Sequence, residues 1–153
     1  MAALQFAITI NAPKEKVWHT MLDKETYPDW TEVFSPGSTY EGNWEEGSEI
    51  RFIGPGENGP MGIVSRIKEN KPYQFISIEH LGQVLNGKVD MESEEAKQWA
   101  GALENYSFSE ANGTTQVVVD LVGNIKEEYR RVFESMWPRA LLRLKEIAEK
   151  EGN

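Results

Sequence analysis

Apolar and polar residues alternate over residues 3–11, with Leu4, Phe6, Ile8 and Ile10 on one side and Gln5, Ala7, Thr9 and Asn11 on the other. A period of two with β-branched residues predicts a strand with one buried face. Pro13 follows, a residue suited to the first turn of a helix. Val17, Trp18, Met21 and Leu22 then share one helical face, while Lys14, Glu15 and Lys16 lie off it. Asp23 and Pro28 end that pattern, and a second short helix or irregular segment carries Tyr27, Trp30 and Phe34.

Strand and turn signals dominate the middle of the chain. Strands are predicted over residues 39–44, 49–53, 61–68, 73–81, 103–109 and 115–122. Residues 54–60 read Gly-Pro-Gly-Glu-Asn-Gly-Pro, which is loop chemistry. Ile76, Ile78 and His80 share one strand face, as do Glu104, Tyr106 and Phe108, and Val117, Val119 and Leu121. Asn112-Gly113 is the strongest turn signal, because both residues accept the positive φ of a type I′ hairpin. Residues 83–100 read as a flap over one end of the sheet, with a turn at Asn86-Gly87 and a short helix capped by Ser93. Ala96 and Trp99 fall on the inner side of that helix.

The final segment, residues 127–151, has an apolar stripe at i, i+3/i+4 and i+7: Tyr129, Val132, Phe133, Met136, Trp137, Ala140, Leu141, Leu144, Ile147 and Ala148. That is a long helix lying on a core. Pro138 removes the hydrogen bond to the carbonyl of Glu134, so a kink is expected there. Strand, two short helices, six strands and a long helix describe an α+β domain spanning residues 1–153. Sequential strands with short turns make an antiparallel meander, and seven twisted strands curl. The long helix covers the concave face, and the gap left between them is a ligand cavity.

Composition narrows the function classes. The chain has 153 residues and sixteen aromatic side chains (five Trp, five Tyr, six Phe), generous ring area for a core or a cavity wall. Its net charge of −9 repels phosphate backbones and anionic lipid surfaces, so neither nucleic acid nor membrane insertion is expected. The absence of cysteine removes thiol catalysis, disulfides and Cys-based zinc sites. With no secretory or membrane-spanning pattern, a cytoplasmic location is expected. Two histidines on separate elements argue against a metal site, and no cofactor signature is present.

Several stretches together carry a family likeness: Ile10-Asn11-Ala12-Pro13 with Val17-Trp18, Phe34-Ser35-Pro36-Gly37-Ser38, Glu41-Gly42-Asn43-Trp44 with Gly47-Ser48, and Phe75-Ile76-Ser77-Ile78-Glu79-His80-Leu81-Gly82. Trp99-Ala100-Gly101, Glu104-Asn105-Tyr106 and Met136-Trp137-Pro138 continue it. In this order the chain resembles the helix-grip superfamily of START-like lipid-transfer domains, polyketide cyclases and birch-pollen-allergen-like proteins. Within it the likeness is to the small bacterial homologues of the activator of heat-shock-protein-ninety ATPase. The resemblance implies a curved sheet gripping the C-terminal helix, and leaves function open because one fold hosts many.

The chemistry-bearing candidates are few. His19 reads as a surface residue. His80 is read most simply as a buried histidine satisfied by a hydrogen bond; its functional reading is a polar group aimed into a cavity. Glu104 points inward by parity, where a charge needs a partner, and His80 on a neighbouring strand is the candidate. No Gly-x-Ser-x-Gly elbow is present. The leading expectation is non-enzymatic binding of a small hydrophobic molecule, with Phe34, Tyr40, Phe52, Ile63, Ile78, His80, Glu104, Tyr106, Trp137 and Leu141 facing the cavity. One alternative is a chaperone-associated or stress-response accessory with a protein partner at its surface. The other is a cyclase-like acid–base enzyme using His80 and Glu104.

Overall fold

The expected first strand is β1 (Ala2–Ile10), which forms one edge of a fully antiparallel sheet. The computed structural model describes residues 2–123 and 125–150. After β1 come α1 (Lys14–Leu22), α2 (Tyr27–Trp30) and a single 3₁₀ turn, Thr31–Val33. The strands β2 (Thr39–Gly42), β3 (Glu49–Gly54), β4 (Met61–Lys71), β5 (Phe75–Leu85), β6 (Lys88–Asp90), β7 (Leu103–Ala111) and β8 (Thr114–Gly123) follow. α3 (Glu94–Trp99) sits between β6 and β7, and α4 (Glu127–Glu149) closes the described chain. The expected helix end at Glu151 lies outside the described residues.

Seven strands form a continuous path, β1-β8-β7-β5-β4-β3-β2, and β6 adds an eighth by pairing with β5. The pairing of β5 with β7 skips everything between Asn86 and Ala102, so the 83–100 region is an excursion from the sheet. It is more ordered than a plain flap. Asn86 and Gly87 turn a hairpin with φ of 55° and 80°, as Asn112 and Gly113 do with 56° and 78°. Asp90 then accepts hydrogen bonds from the Glu92 and Ser93 amides, the Ser93 hydroxyl and the Gln83 side chain. Ser93 Oγ in turn accepts from the Ala96 amide and caps α3. The returning chain passes so close to β5 that a Cβ on Gly82 would sit 2.6 Å from the Asp90 carbonyl oxygen. Only glycine fits there.

Two irregularities change the side-chain alternation. Val64 pairs with Gly82 and Ser65 with His80, which leaves Leu81 unpaired; Lys68 is skipped in the same way between Ile67 and Glu69. Each bulge exchanges the faces of the residues beyond it. Val64 and Val84, on either side of the Leu81 irregularity, are buried as well.

The aromatic donors near α1 satisfy the carbonyls that its last turn leaves open. Trp30 Nε1 donates to Met21 O at 3.0 Å, and both Tyr40 OH and Trp44 Nε1 donate to Leu22 O, at 2.7 and 2.9 Å. α4 continues across Pro138 as one helical run. The Pro138 ring and Glu134 are both exposed, so water is available to the carbonyl that Pro138 leaves without a donor. From Trp137 onward the helix is sealed to the sheet: Trp137, Ala140, Leu141, Leu144 and Ala148 are buried. Before it the stripe is not covered as the periodicity predicts, since Tyr129 and Val132 are exposed. A guanidinium fork from Arg143 to both Asp29 oxygens, at 2.7 and 3.0 Å, fixes the sealed half against α2.

Candidate functional site

A cavity of about 440 Å³ opens beneath the uncovered first half of α4. Its walls come from α2, the 3₁₀ turn and the residue after it (Tyr27, Trp30, Thr31, Phe34), from β3 and β4 (Phe52, Ile63), and from the far end of β8. His80, Glu104 and Tyr106 form its polar side. Trp137 stands where the helix meets the sheet, with its ring 5.0 Å from Phe34, 6.0 Å from Trp30 and 6.2 Å from Tyr106.

The polar side is a relay across three adjacent strands. Ser65 of β4 lies opposite His80 of β5, and their Oγ and Nδ1 atoms are 2.8 Å apart. Glu104 of β7 lies opposite Ile78, two residues from His80 along β5, and Glu104 Oε1 is 3.3 Å from His80 Nε2. The Tyr106 hydroxyl, two residues along β7, donates to Glu104 Oε2. The backbone holds the histidine in register: His80 N donates to Ala102 O and Gly101 N donates to His80 O, both at 2.9 Å. Gly101 makes that return turn with φ of 89°, a conformation costly for other residues.

The sequence matches the family described as "Activator of Hsp90 ATPase homolog 1-like protein" over residues 11–149. The chain belongs to this family. No protein of curated function matches it. Among solved structures, the Aha1 dimer from Colwellia psychrerythraea is similar with a TM-score of 0.74 at 17% identity, covering 98% of both chains. ChR145 from Cytophaga hutchinsonii also gives 0.74, at 22% identity, over 99% of this chain and 96% of that one. MLL2253 from Mesorhizobium loti gives 0.71 at 11% identity, with 98% of each chain covered. At these identities the likeness establishes the shared fold, a helix-grip arrangement.

In this family member, seven of the ten expected cavity residues border the cavity: Phe34, Phe52, Ile63, His80, Glu104, Tyr106 and Trp137. Tyr40, Ile78 and Leu141 do not. The Tyr40 hydroxyl is drawn to the end of α1, where it binds Leu22 O. Ile78 and Leu141 are 0% and 1% exposed and are enclosed in the hydrophobic core. Tyr27, Trp30 and Trp99 line the cavity as well. Their aromatic character is visible in the sequence, but their direction depends on how two short helices enter the fold. Ser65, fully buried and paired with His80, gave no signal of its own. His19 is exposed as expected, 3.2 Å from Asp23. Among the described residues no group of three or more His, Cys, Asp or Glu side chains is placed to hold a metal ion, and no helix is long and apolar enough to cross a membrane.

Burial drives the hydroxyls of Tyr27 and Tyr106 well above the usual tyrosine range, and the neighbouring charge of Glu104 pushes both the same way. A raised folded-state pKa means that their stability contribution is complete below about pH 10, the unfolded value. It is lost as the pH rises further, because the unfolded chain ionises first. Denaturant midpoints should therefore hold to about pH 10 and fall above it. Tyrosinate absorbance should show that these two rings ionise together with unfolding; their ionisation in the intact fold would contradict the burial argument.

Proposed function

We propose that this chain binds a small hydrophobic molecule in the cavity between the curved sheet and the C-terminal helix, and does so without transforming it. The observation that carries this reading is the cavity itself: about 440 Å³, walled mainly by aromatic and aliphatic side chains, with a few polar ones among them. That size and polarity match sites for small organic ligands. The hydrogen bonding favours binding over chemistry. His80 has one ring nitrogen on Ser65 and the other beside Glu104, so it has no unengaged nitrogen for proton transfer to a ligand. Ser65, the hydroxyl paired with His80, is 0% exposed and does not border the cavity.

A cavity-filling variant tests the proposal. Methylnaphthalene, a neutral fluorophore, is expected to bind with one equivalent per chain. Ile63→Trp puts an indole into the space and should abolish binding while the protein stays folded. Undiminished binding in that variant would move the ligand to the surface.

A second reading is a surface-acting accessory that engages a protein partner. It draws on the family description and on Met61, Leu85, Val89 and Met91, which are exposed where β4, β5 and β6 meet. Ile63→Trp separates the two, because a surface contact would survive a filled cavity.

A further inference from the structure

The direction of the hydrogen bonds around Glu104 specifies what a ligand must offer. Ser65 is fully buried, and among the described residues its hydroxyl has no hydrogen-bond partner except His80 Nδ1. A buried hydroxyl proton without an acceptor is costly, so Ser65 donates and Nδ1 accepts. The imidazole then carries its proton on Nε2, the nitrogen 3.3 Å from Glu104 Oε1. The Tyr106 hydroxyl donates to the other carboxylate oxygen. Glu104 thus has a proton-bearing group at each oxygen, and its remaining lone pairs can only accept.

Two hydroxyls elsewhere on the wall are committed as donors in the same way. The Thr31 hydroxyl donates to Tyr27 O and the Ser38 hydroxyl to Ser35 O, both at 2.6 Å, so these two cavity residues also turn acceptor lone pairs outward. No lysine or arginine is among the described residues that line the cavity. Tyr27, Tyr106 and Trp137 contribute rings to the same wall, and the net charge of −9 adds a field that draws cations.

We infer that the ligands of this cavity are apolar molecules carrying a proton donor, above all a protonated amine, which docks on Glu104. This rests on the binding reading above and assigns the ligand's polar end. A carboxylic acid ligand is disfavoured because its anion would meet the Glu104 carboxylate with no lysine or arginine on the described wall to offset it.

A matched series on the intact protein tests it: naphthylmethylamine, naphthylmethanol, naphthoate and methylnaphthalene, each followed by intrinsic fluorescence at neutral pH. The amine should bind most tightly, the alcohol next and naphthoate least. The amine should exceed methylnaphthalene by about tenfold, which is about 1.4 kcal/mol. Glu104→Gln should remove that advantage and leave methylnaphthalene binding in place, which also reports that the variant is folded. Should Glu104→Gln not fold, the wild-type order still decides. Equal affinities, or a preference for naphthoate, would overturn the assignment while leaving the cavity as a binding site. If methylnaphthalene and all its analogues fail to bind, the cavity reading falls and this inference with it.

Discussion

Trp137→Ala is expected to destabilise the protein by about 3–5 kcal/mol, the range for deleting a large buried aromatic side chain. Trp137 is 4% exposed and stands at the boundary between the sealed and the open halves of α4. Its ring meets Phe34, Trp30, Tyr106 and Phe6, so one truncation removes packing from α2, the 3₁₀ turn, β7 and β1 together. Collapse cannot refill the space, because an existing cavity lies on one side of it. For a domain whose total stability is on the order of 5–15 kcal/mol, such a loss leaves a marginal protein. Urea denaturation checks the magnitude. Trp137→Phe, which keeps a ring at the same place, should recover more than half of the loss; a loss below about 1 kcal/mol for the alanine variant would mean that α4 is held elsewhere.

Much of the fold was legible because each element advertises one buried face. The alternation of Leu4, Phe6, Ile8 and Ile10, the Asn112-Gly113 turn and the stripe on the last helix each predict an element found in the structure. The likeness carried by residues such as Phe75–Gly82 and Met136–Pro138 pointed to the same architecture. Strand parity placed His80, Glu104 and Tyr106 inward, and all three border the cavity.

What stayed hidden depends on contacts between elements. The bulge at Leu81 and the skipped Lys68 shift register without leaving a composition signal, so parity counted through them assigns wrong faces. The stripe on α4 shows which side of the helix is apolar, but not that only the half from Trp137 onward is covered. Leu141 was therefore expected at a cavity that it does not border. Tyr40 has the right parity and the wrong destination, because its hydroxyl meets an open carbonyl at the end of α1. A lone serine on a strand says nothing until its cross-strand neighbour is known, which is why Ser65 emerged only with the β4–β5 register.

That relay supplies the second large effect, a coupling between His80 and Glu104. The side chains are 8% and 21% exposed, so neither recovers full hydration when its partner is removed. His80→Leu leaves the Glu104 carboxylate short of one donor and strands the Ser65 proton. Glu104→Met leaves the Nε2–H of His80 and the Tyr106 hydroxyl facing an apolar group. Each single change should cost about 3 kcal/mol, the lower end of the range for breaking a buried pair, since a fifth of Glu104 still meets open space. The double change replaces both partners with apolar groups of similar size and should cost well below the sum. A double-mutant cycle by urea denaturation is expected to give a coupling of about 1–3 kcal/mol. Ser65→Ala, by freeing Nδ1 from its donor, should shrink that coupling, because the tautomer that faces Glu104 with a proton is no longer enforced. Strict additivity of His80→Leu and Glu104→Met would show that the 3.3 Å approach carries no interaction, and Glu104 would then be held by Tyr106 alone.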